Sequence, residues 1–274
     1  MRYDPVKDRL GWIFGRHPLL QRLFFALLHL IFLRSWYVRR ALRRIFEGWP
    51  ADRPVRVLDA GTGFGQYAYY IARRWPHTEV VGVDLKTDYL EQARRFVART
   101  PVAGRVHFVQ DDLTRLQTEG PFDLILSVDV LEHIEDDRAV LRNFARVLRP
   151  GGYVIINTPS DQGGSDVQAP GQQSFIEEHV REGYSRELLE ARLREAGLEP
   201  VESHYSYGPF GSLAWRLLIK YPMLALNRTA LAYPLLPVYY LVVLPVGLVL
   251  NALDLVRENR TGTGLIVVAR KPEG

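Results

Sequence analysis

The chain reads as an α/β protein. We expect a mostly parallel sheet with helices on both faces and an antiparallel last strand, plus apolar helical elements on its N-terminal and C-terminal sides. Three observations predict this. Short apolar runs alternate with helical patterns between residues 51 and 208. The runs are continuously apolar, as strands buried on both faces must be. Glycines and acids fall at the ends of the runs, where open α/β sheets bind their ligands.

The predicted strands are 55–58, 79–83, 106–109, 124–128, 153–157 and 201–207. The predicted helices are 67–75, 87–98, 138–148 and 185–196. A last strand, 264–269, follows the turn-rich 259–264 and is expected to pair antiparallel with 201–207. The glycine-rich 161–171 reads as a mobile loop. The organisation is then a basic amphipathic segment (1–50), the α/β core (51–208), an apolar helical insertion (209–260), and the last strand with its tail (261–274).

Composition bounds the chemistry. The 274 residues suit one domain with an elaboration, and 47% apolar with 24% charged residues is ordinary for a globular chain. The absence of cysteine excludes disulfides and thiolate metal sites. The net charge of +4 is unevenly spread. Residues 1–50 hold ten Arg or Lys against three acids, so that segment alone is +7. A basic segment points to an anionic surface.

The most informative stretch is Asp59-Ala60-Gly61-Thr62-Gly63-Phe64-Gly65, a buried strand running into a glycine-rich turn and a helix. Glycines there permit positive φ and close approach of a ligand. The free N–H groups of the helix start suit an anion. A dinucleotide fingerprint needs G-x-G-x-x-G, whereas Gln66 stands at its last position here. Further strand-end features follow in order. Asp84 and Leu85 end the second strand, Asp111, Asp112 and Leu113 the third, and Asp129 the fourth, before Leu131-Glu132-His133. Arg149-Pro150-Gly151-Gly152 precedes the fifth.

Taken together, these motifs resemble those of class I, Rossmann-like S-adenosylmethionine-dependent methyltransferases. The nearest likeness is to small-molecule, lipid and ubiquinone-biosynthesis types. The resemblance covers residues 51–208 and the last strand. It implies that Asp59, Gly61, Gly63 and Gly65 cradle S-adenosylmethionine. It also implies that Asp84 accepts from the ribose hydroxyls, that Asp112 rather than Asp111 meets the adenine amino group, and that Leu85, Leu113 and Asp129 complete the cofactor site. Candidate acid–base groups are His133, past the fourth strand, and the pair Glu178 and His179, after the loop, with Tyr184 as a lid-packing residue. The spacing of Asp129, Glu132 and His133 would place them on one helical face. That leaves a divalent cation as an alternative to a hydrogen-bonded cap; no metal is expected.

The flanks bear on the acceptor. Residues 23–33 are apolar nearly all round, but too few to span a bilayer. Val38, Leu42, Ile45 and Phe46 form one face of the next helix, and Arg39, Arg40, Arg43 and Arg44 the other. Residues 229–253 carry no charge, yet Pro234, Pro237 and Pro245 are expected to interrupt a continuous helix. A hairpin dipping into one leaflet, with 212–226 as its other arm, accommodates both facts. The expectation is a monotopic methyltransferase on the cytoplasmic face of an anionic membrane, acting on a hydrophobic, lipid-like or prenylated acceptor, with no nucleic-acid partner. Two other readings stand beside it: a soluble small-molecule methyltransferase with a helical lid or dimer interface, and a non-catalytic S-adenosylmethionine-binding module.

Overall fold

The computed structural model describes residues 18–163, 180–181, 183–228 and 230–273. A seven-stranded sheet forms the centre, in the order β3-β2-β1-β4-β5-β7-β6. Its strands are β1 (Val55–Ala60), β2 (Thr78–Asp84), β3 (Val106–Gln110), β4 (Phe122–Val128), β5 (Leu148–Pro159), β6 (Glu199–Ser206) and β7 (Gly264–Arg270). Strand β7 is antiparallel to both β5 and β6 and slots between them, while the β1–β5 pairings are all parallel. The expected α/β class and antiparallel last strand are those observed.

Alternate residues of each strand feed two separate cores. Val57, Leu124, Leu126, Ile266 and Val268 face one side, and Leu58, Ile125, Leu265 and Val267 the other. This two-sided burial is why the strands carry no polar alternation. The first core is covered by α1 (Pro18–Ile31), α2 (Leu33–Glu47), α3 (Gln66–Arg74) and α4 (Thr87–Val97), and the second by α5 (Asp137–Val147) and α6 (Arg186–Glu195).

The N-terminal segment differs from its sequence reading. Helices α1 and α2 meet at Phe32 with a bend of 91°. Val38, Leu42, Ile45 and Phe46 of α2 are buried in the first core. Three arginines of its basic face meet protein partners: Arg40 donates to the Leu255 carbonyl, Arg44 pairs with Glu202 at 2.5 Å, and Arg39 lies over the Tyr70 ring. The amphipathic stripe of α2 therefore serves the core and not a bilayer. Each such side chain contributes ~1.5–3 kcal/mol by burial, and lipid offers no better apolar environment to draw it out. Helix α1 behaves differently. Its inner face packs Phe25 against Phe96, and His29 against Tyr67 and Tyr70. Its outer face leaves Leu19, Leu20, Leu23, Leu27 and Leu30 exposed.

Between β6 and β7 the chain forms a helical hairpin. The outbound arm is α7 (Pro209–Trp215), a π-helical turn (Arg216–Lys220) and α8 (Tyr221–Arg228), and the return arm is α9 (Leu236–Val256). The prolines do not break α9. Pro237 sits in its first turn, where a missing N–H costs nothing, and the helix runs on through Pro245. Residues Tyr233–Val256, with mean hydropathy 2.0, are long and apolar enough to cross a membrane. The inner side of α9 is nevertheless fastened to the domain. Gly247 abuts Leu218, Asn251 donates to the Ile31 carbonyl, and buried Asp254 accepts from Tyr37 and the Gly211 N–H. Its outer side exposes Val238, Leu241, Val242, Val246, Val249 and Leu253.

Candidate active site

A cavity of about 1350 Å³ opens at the carboxyl ends of β1, β2, β4 and β5. Pockets for a single small ligand run to roughly 300–1,000 Å³, so this one has room for two. The glycine loop forms one end. Gly61, Gly63 and Gly65 all have positive φ (77°, 54° and 78°). A Cβ at Gly61 would strike Val130 and one at Gly65 would strike the Phe108 ring, whereas at Gly63 it would enter open space. Asp59 is buried beneath the loop. Its Oδ2 accepts from Thr62 Oγ1 at 2.6 Å and from the Ala68 N–H at 3.0 Å, tying the turn to α3. Burial pushes its carboxyl up to about 6, despite those two bonds.

Asp84 holds the loop from the next strand, with Oδ2 accepting from the Gly63 N–H (2.8 Å) and Oδ1 from the Lys86 N–H (2.9 Å). Each carboxylate oxygen has a second acceptor site, so two further hydroxyls can be received. The two acids after β3 have different work. Asp111 accepts from the N–H groups of Asp112, Gln117 and Thr118 and from the Thr118 hydroxyl. Burial alone would raise its carboxyl, but these bonds outweigh it and hold the group below the usual carboxylate range. Asp112 caps the turn after it through Oδ1 alone. Leu85 and Leu113 line the cavity with both acids.

At the fourth strand Asp129 takes φ = 54°, a conformation that costs a non-glycine residue about 1 kcal/mol or more. It is fixed by Arg34 Nη1 at 2.8 Å and by Asn157 Nδ2, which donates to Oδ1 at 3.0 Å. Arg34 comes from the bend between α1 and α2, and its backbone N–H donates to the Tyr207 hydroxyl. Tyr207 is the other non-glycine residue with positive φ among those described (55°) and also lines the cavity. Arg34 and Tyr207 have no local sequence signal, since Arg34 reads only as the polar boundary of an apolar run. The Asn157 Oδ1 is buried on the cavity wall with no partner. An orphaned acceptor there is suited to an N–H or O–H donor of a ligand.

Asp129, Glu132 and His133 do not share a helical face. Residues Leu131–His133 form a single 3₁₀ turn, so the i, i+3, i+4 argument fails. Asp129 turns to Arg34. Glu132 is buried and accepts from the Thr158 hydroxyl at 3.1 Å, and His133 is exposed at the cavity wall. Among the described residues, no three such side chains are grouped to hold an ion. Burial, with the charge of Asp129 second, holds Glu132 above the usual carboxylate range. Tyr184 is fully buried and bonds Asp137 and the Leu131 carbonyl, a packing role. Glu178 and His179 lie outside the described residues, as does most of the glycine-rich 161–171.

Residues 57–152 match the family model described as a methyltransferase domain. Those residues carry a methyltransferase domain. A trans-aconitate 2-methyltransferase of Azoarcus sp. (strain BH72) is 33% identical over 120 residues, covering 44% of this chain and 45% of that protein. The chain thus matches less than half the length of the first curated relatives. Two solved structures share the fold. A Haemonchus contortus phosphoethanolamine N-methyltransferase 2, solved with S-adenosyl-L-methionine, superposes with a TM-score of 0.59 at 22% identity, over 85% of this chain and 52% of that one. The [4+2]-cyclase SpnF superposes with a TM-score of 0.58 at 21% identity, over 86% and 82%. In the methyltransferase domain, the open space at Gly63, the two acceptor sites of Asp84 and the orphaned Asn157 Oδ1 fit a cofactor with hydroxyl and ammonium donors, as S-adenosylmethionine has.

Proposed function

We propose that the protein is an S-adenosylmethionine-dependent methyltransferase that works at the cytoplasmic face of a membrane on a hydrophobic, lipid-like acceptor. One observation carries the reading. A single cavity runs from the acid-and-glycine cradle to walls built by α1 and by the 215–223 segment, and α1 and the hairpin also present exposed apolar rows outward.

The chain's residues divide the work. Gly61, Gly63 and Gly65 admit the cofactor, Asp84 receives its ribose hydroxyls, and Asp112, with Leu85 and Leu113, receives the adenine. When bound, S-adenosylmethionine supplies an electrophilic methyl on a sulfonium. The acids around the cavity favour that cation. Phe24, Leu28 and Phe32 exclude water from the acceptor side, so that alignment and a dry site contribute much of the rate. His133, on the cavity wall, would take the proton that the acceptor loses when it is methylated.

Three features support the membrane part. The exposed leucines of α1 recur on one face, and so do the exposed valines and leucines of α9. Monomers rarely expose contiguous apolar patches beyond a few hundred Å². The bonds from Asn251 and Asp254 keep α9 against the domain, which suits lying in a leaflet more than spanning it. Basic residues flanking apolar elements are a cytoplasmic-side signature.

Calorimetry tests the cofactor assignment. S-adenosylmethionine should bind the wild type, and Asp84→Asn should weaken it at least tenfold, since an amide donates where the ribose needs acceptors. Equal affinities would remove Asp84 from the site.

A further inference from the structure

We propose that the acceptor end of the cavity recognises an amphiphile with an anionic group, and that Arg216 and Lys220 hold that anion. The proposal rests on the methyltransferase reading only for which end of the cavity the acceptor takes.

Asp59, Asp84, Asp111 and Asp112 line the cavity near the glycine loop, with Lys86 beside them, while Arg216 and Lys220 line it from the hairpin. The latter two cations lie four residues apart on the π-helical turn Arg216–Lys220, and both line the cavity. Residues at that spacing share one helical face. Apolar walls surround them: Trp215, Ile219 and Met223 from the same arm, and Phe24, Leu28 and Phe32 from α1. An apolar chain flanked by two cations is complementary to a phosphate or carboxylate on a hydrocarbon tail. The arginine adds a planar fork for two oxygens.

The π-helical turn is itself clamped. Tyr239 donates its hydroxyl to the Leu217 carbonyl and Tyr240 donates to the Leu218 carbonyl, both at 2.8 Å. Leu218 presses against Gly247, where a Cβ would approach to 2.6 Å. A π-helical turn is rare, and is found frequently at functional sites. Here α9 supplies partners to its carbonyls and holds the cation-bearing turn in place. The surface that exposes the apolar row of α9 thus also fixes the cations behind it, at the entrance an amphiphile would use from a bilayer.

The probes are dodecyl phosphate and dodecanol, each below its aggregation concentration, and inorganic phosphate, titrated calorimetrically into the full chain. Dodecyl phosphate should bind at least tenfold more tightly than either of the others. Arg216→Gln/Lys220→Gln should remove that tenfold preference while leaving S-adenosylmethionine affinity unchanged. Equal binding of dodecyl phosphate and dodecanol by the wild type would overturn the anion part. Equal binding of dodecyl phosphate and inorganic phosphate would overturn the amphiphile part and leave a free-phosphate site. Neither comparison requires a variant to fold. Loss of S-adenosylmethionine binding by the wild type would instead sink the methyltransferase reading.

Discussion

Gly63 and Gly65 stand two residues apart, both left-handed, yet an added methyl meets opposite surroundings. At Gly65 it would lie 2.8 Å from the Phe108 ring and 3.2 Å from the Ala93 Cβ. Gly65→Ala should therefore cost backbone strain plus overpacking, about 2–5 kcal/mol together, visible as a lower Tm. At Gly63 only the backbone strain applies, about 1–2 kcal/mol, but the methyl projects into the cavity. Gly63→Ala should lose cofactor affinity out of proportion to its loss of stability. Paired melting and calorimetry of the two variants check this, and a similar ratio of the two losses in both would contradict it. His29 offers a separate test. Burial against Tyr67 and Tyr70, with Arg39 second, lowers it to about 4 from 6.5, so the folded chain keeps it neutral. The unfolded chain binds the proton first. Stability from this group is complete above pH 6.5 and is lost as pH falls toward 4, on the order of 3 kcal/mol in all. Asp59 runs the other way between about 4 and 6, because the folded chain binds its proton first and gains stability on acidification. His29→Gln should therefore lose less Tm than the wild type between pH 7 and pH 4.5. Equal losses would show that His29 does not carry the acid sensitivity.

Helix α2 reads as amphipathic and α1 as apolar nearly all round, and the structure uses their apolar faces differently. Periodicity tells which residues share a face, not what the face meets. Val38 and Leu42 meet the sheet, whereas Leu19, Leu23 and Leu27 face outward. Strand limits were more legible. Strands buried on both faces are apolar throughout, and their observed ends fall close to those predicted for β1 to β4. Strand β5 is longer than its apolar run, because Leu148 pairs with Phe122 ahead of an irregularity and Thr158 and Pro159 pair with β7, none of which shows in a side-chain pattern. Prolines misled at α9, since one lies in a first turn and the other on a helix that tolerates a missing bond. A direct test follows. Leu19→Gln/Leu23→Gln/Leu27→Gln should keep the wild-type Tm within a few degrees and reduce flotation with anionic liposomes severalfold. Val38→Gln/Leu42→Gln should unfold the domain instead. Unchanged flotation of the α1 variant would remove α1 from the membrane face. Flotation lost by neither, with a stable dimer in sedimentation, would assign the rows to a protein interface.

At the scale of the molecule, the cofactor end of the cavity was legible because its residues lie in short local motifs: the glycine loop, Asp84, and the acids after β3. The acceptor end was not. Arg34 reaches Asp129 only because α1 and α2 bend at Phe32, and Arg216 and Lys220 enter the cavity only because α9 folds the hairpin back. Such meetings of distant segments leave no local pattern, and strain at Asp129 and Tyr207 is invisible without backbone angles. Fold likeness does not supply the missing half either, as a cyclase shares the architecture. The central claim is a transfer from S-adenosylmethionine to a hydrophobic acceptor, and it is tested most directly by following a tritiated methyl group. The protein would be incubated with labelled S-adenosylmethionine and liposomes carrying a lipid extract, and the label partitioned between organic and aqueous phases. The account predicts label in the organic phase, lost with Asp84→Asn and reduced with Leu19→Gln/Leu23→Gln/Leu27→Gln. Label confined to water-soluble products, or no transfer by a protein that binds the cofactor, would contradict it.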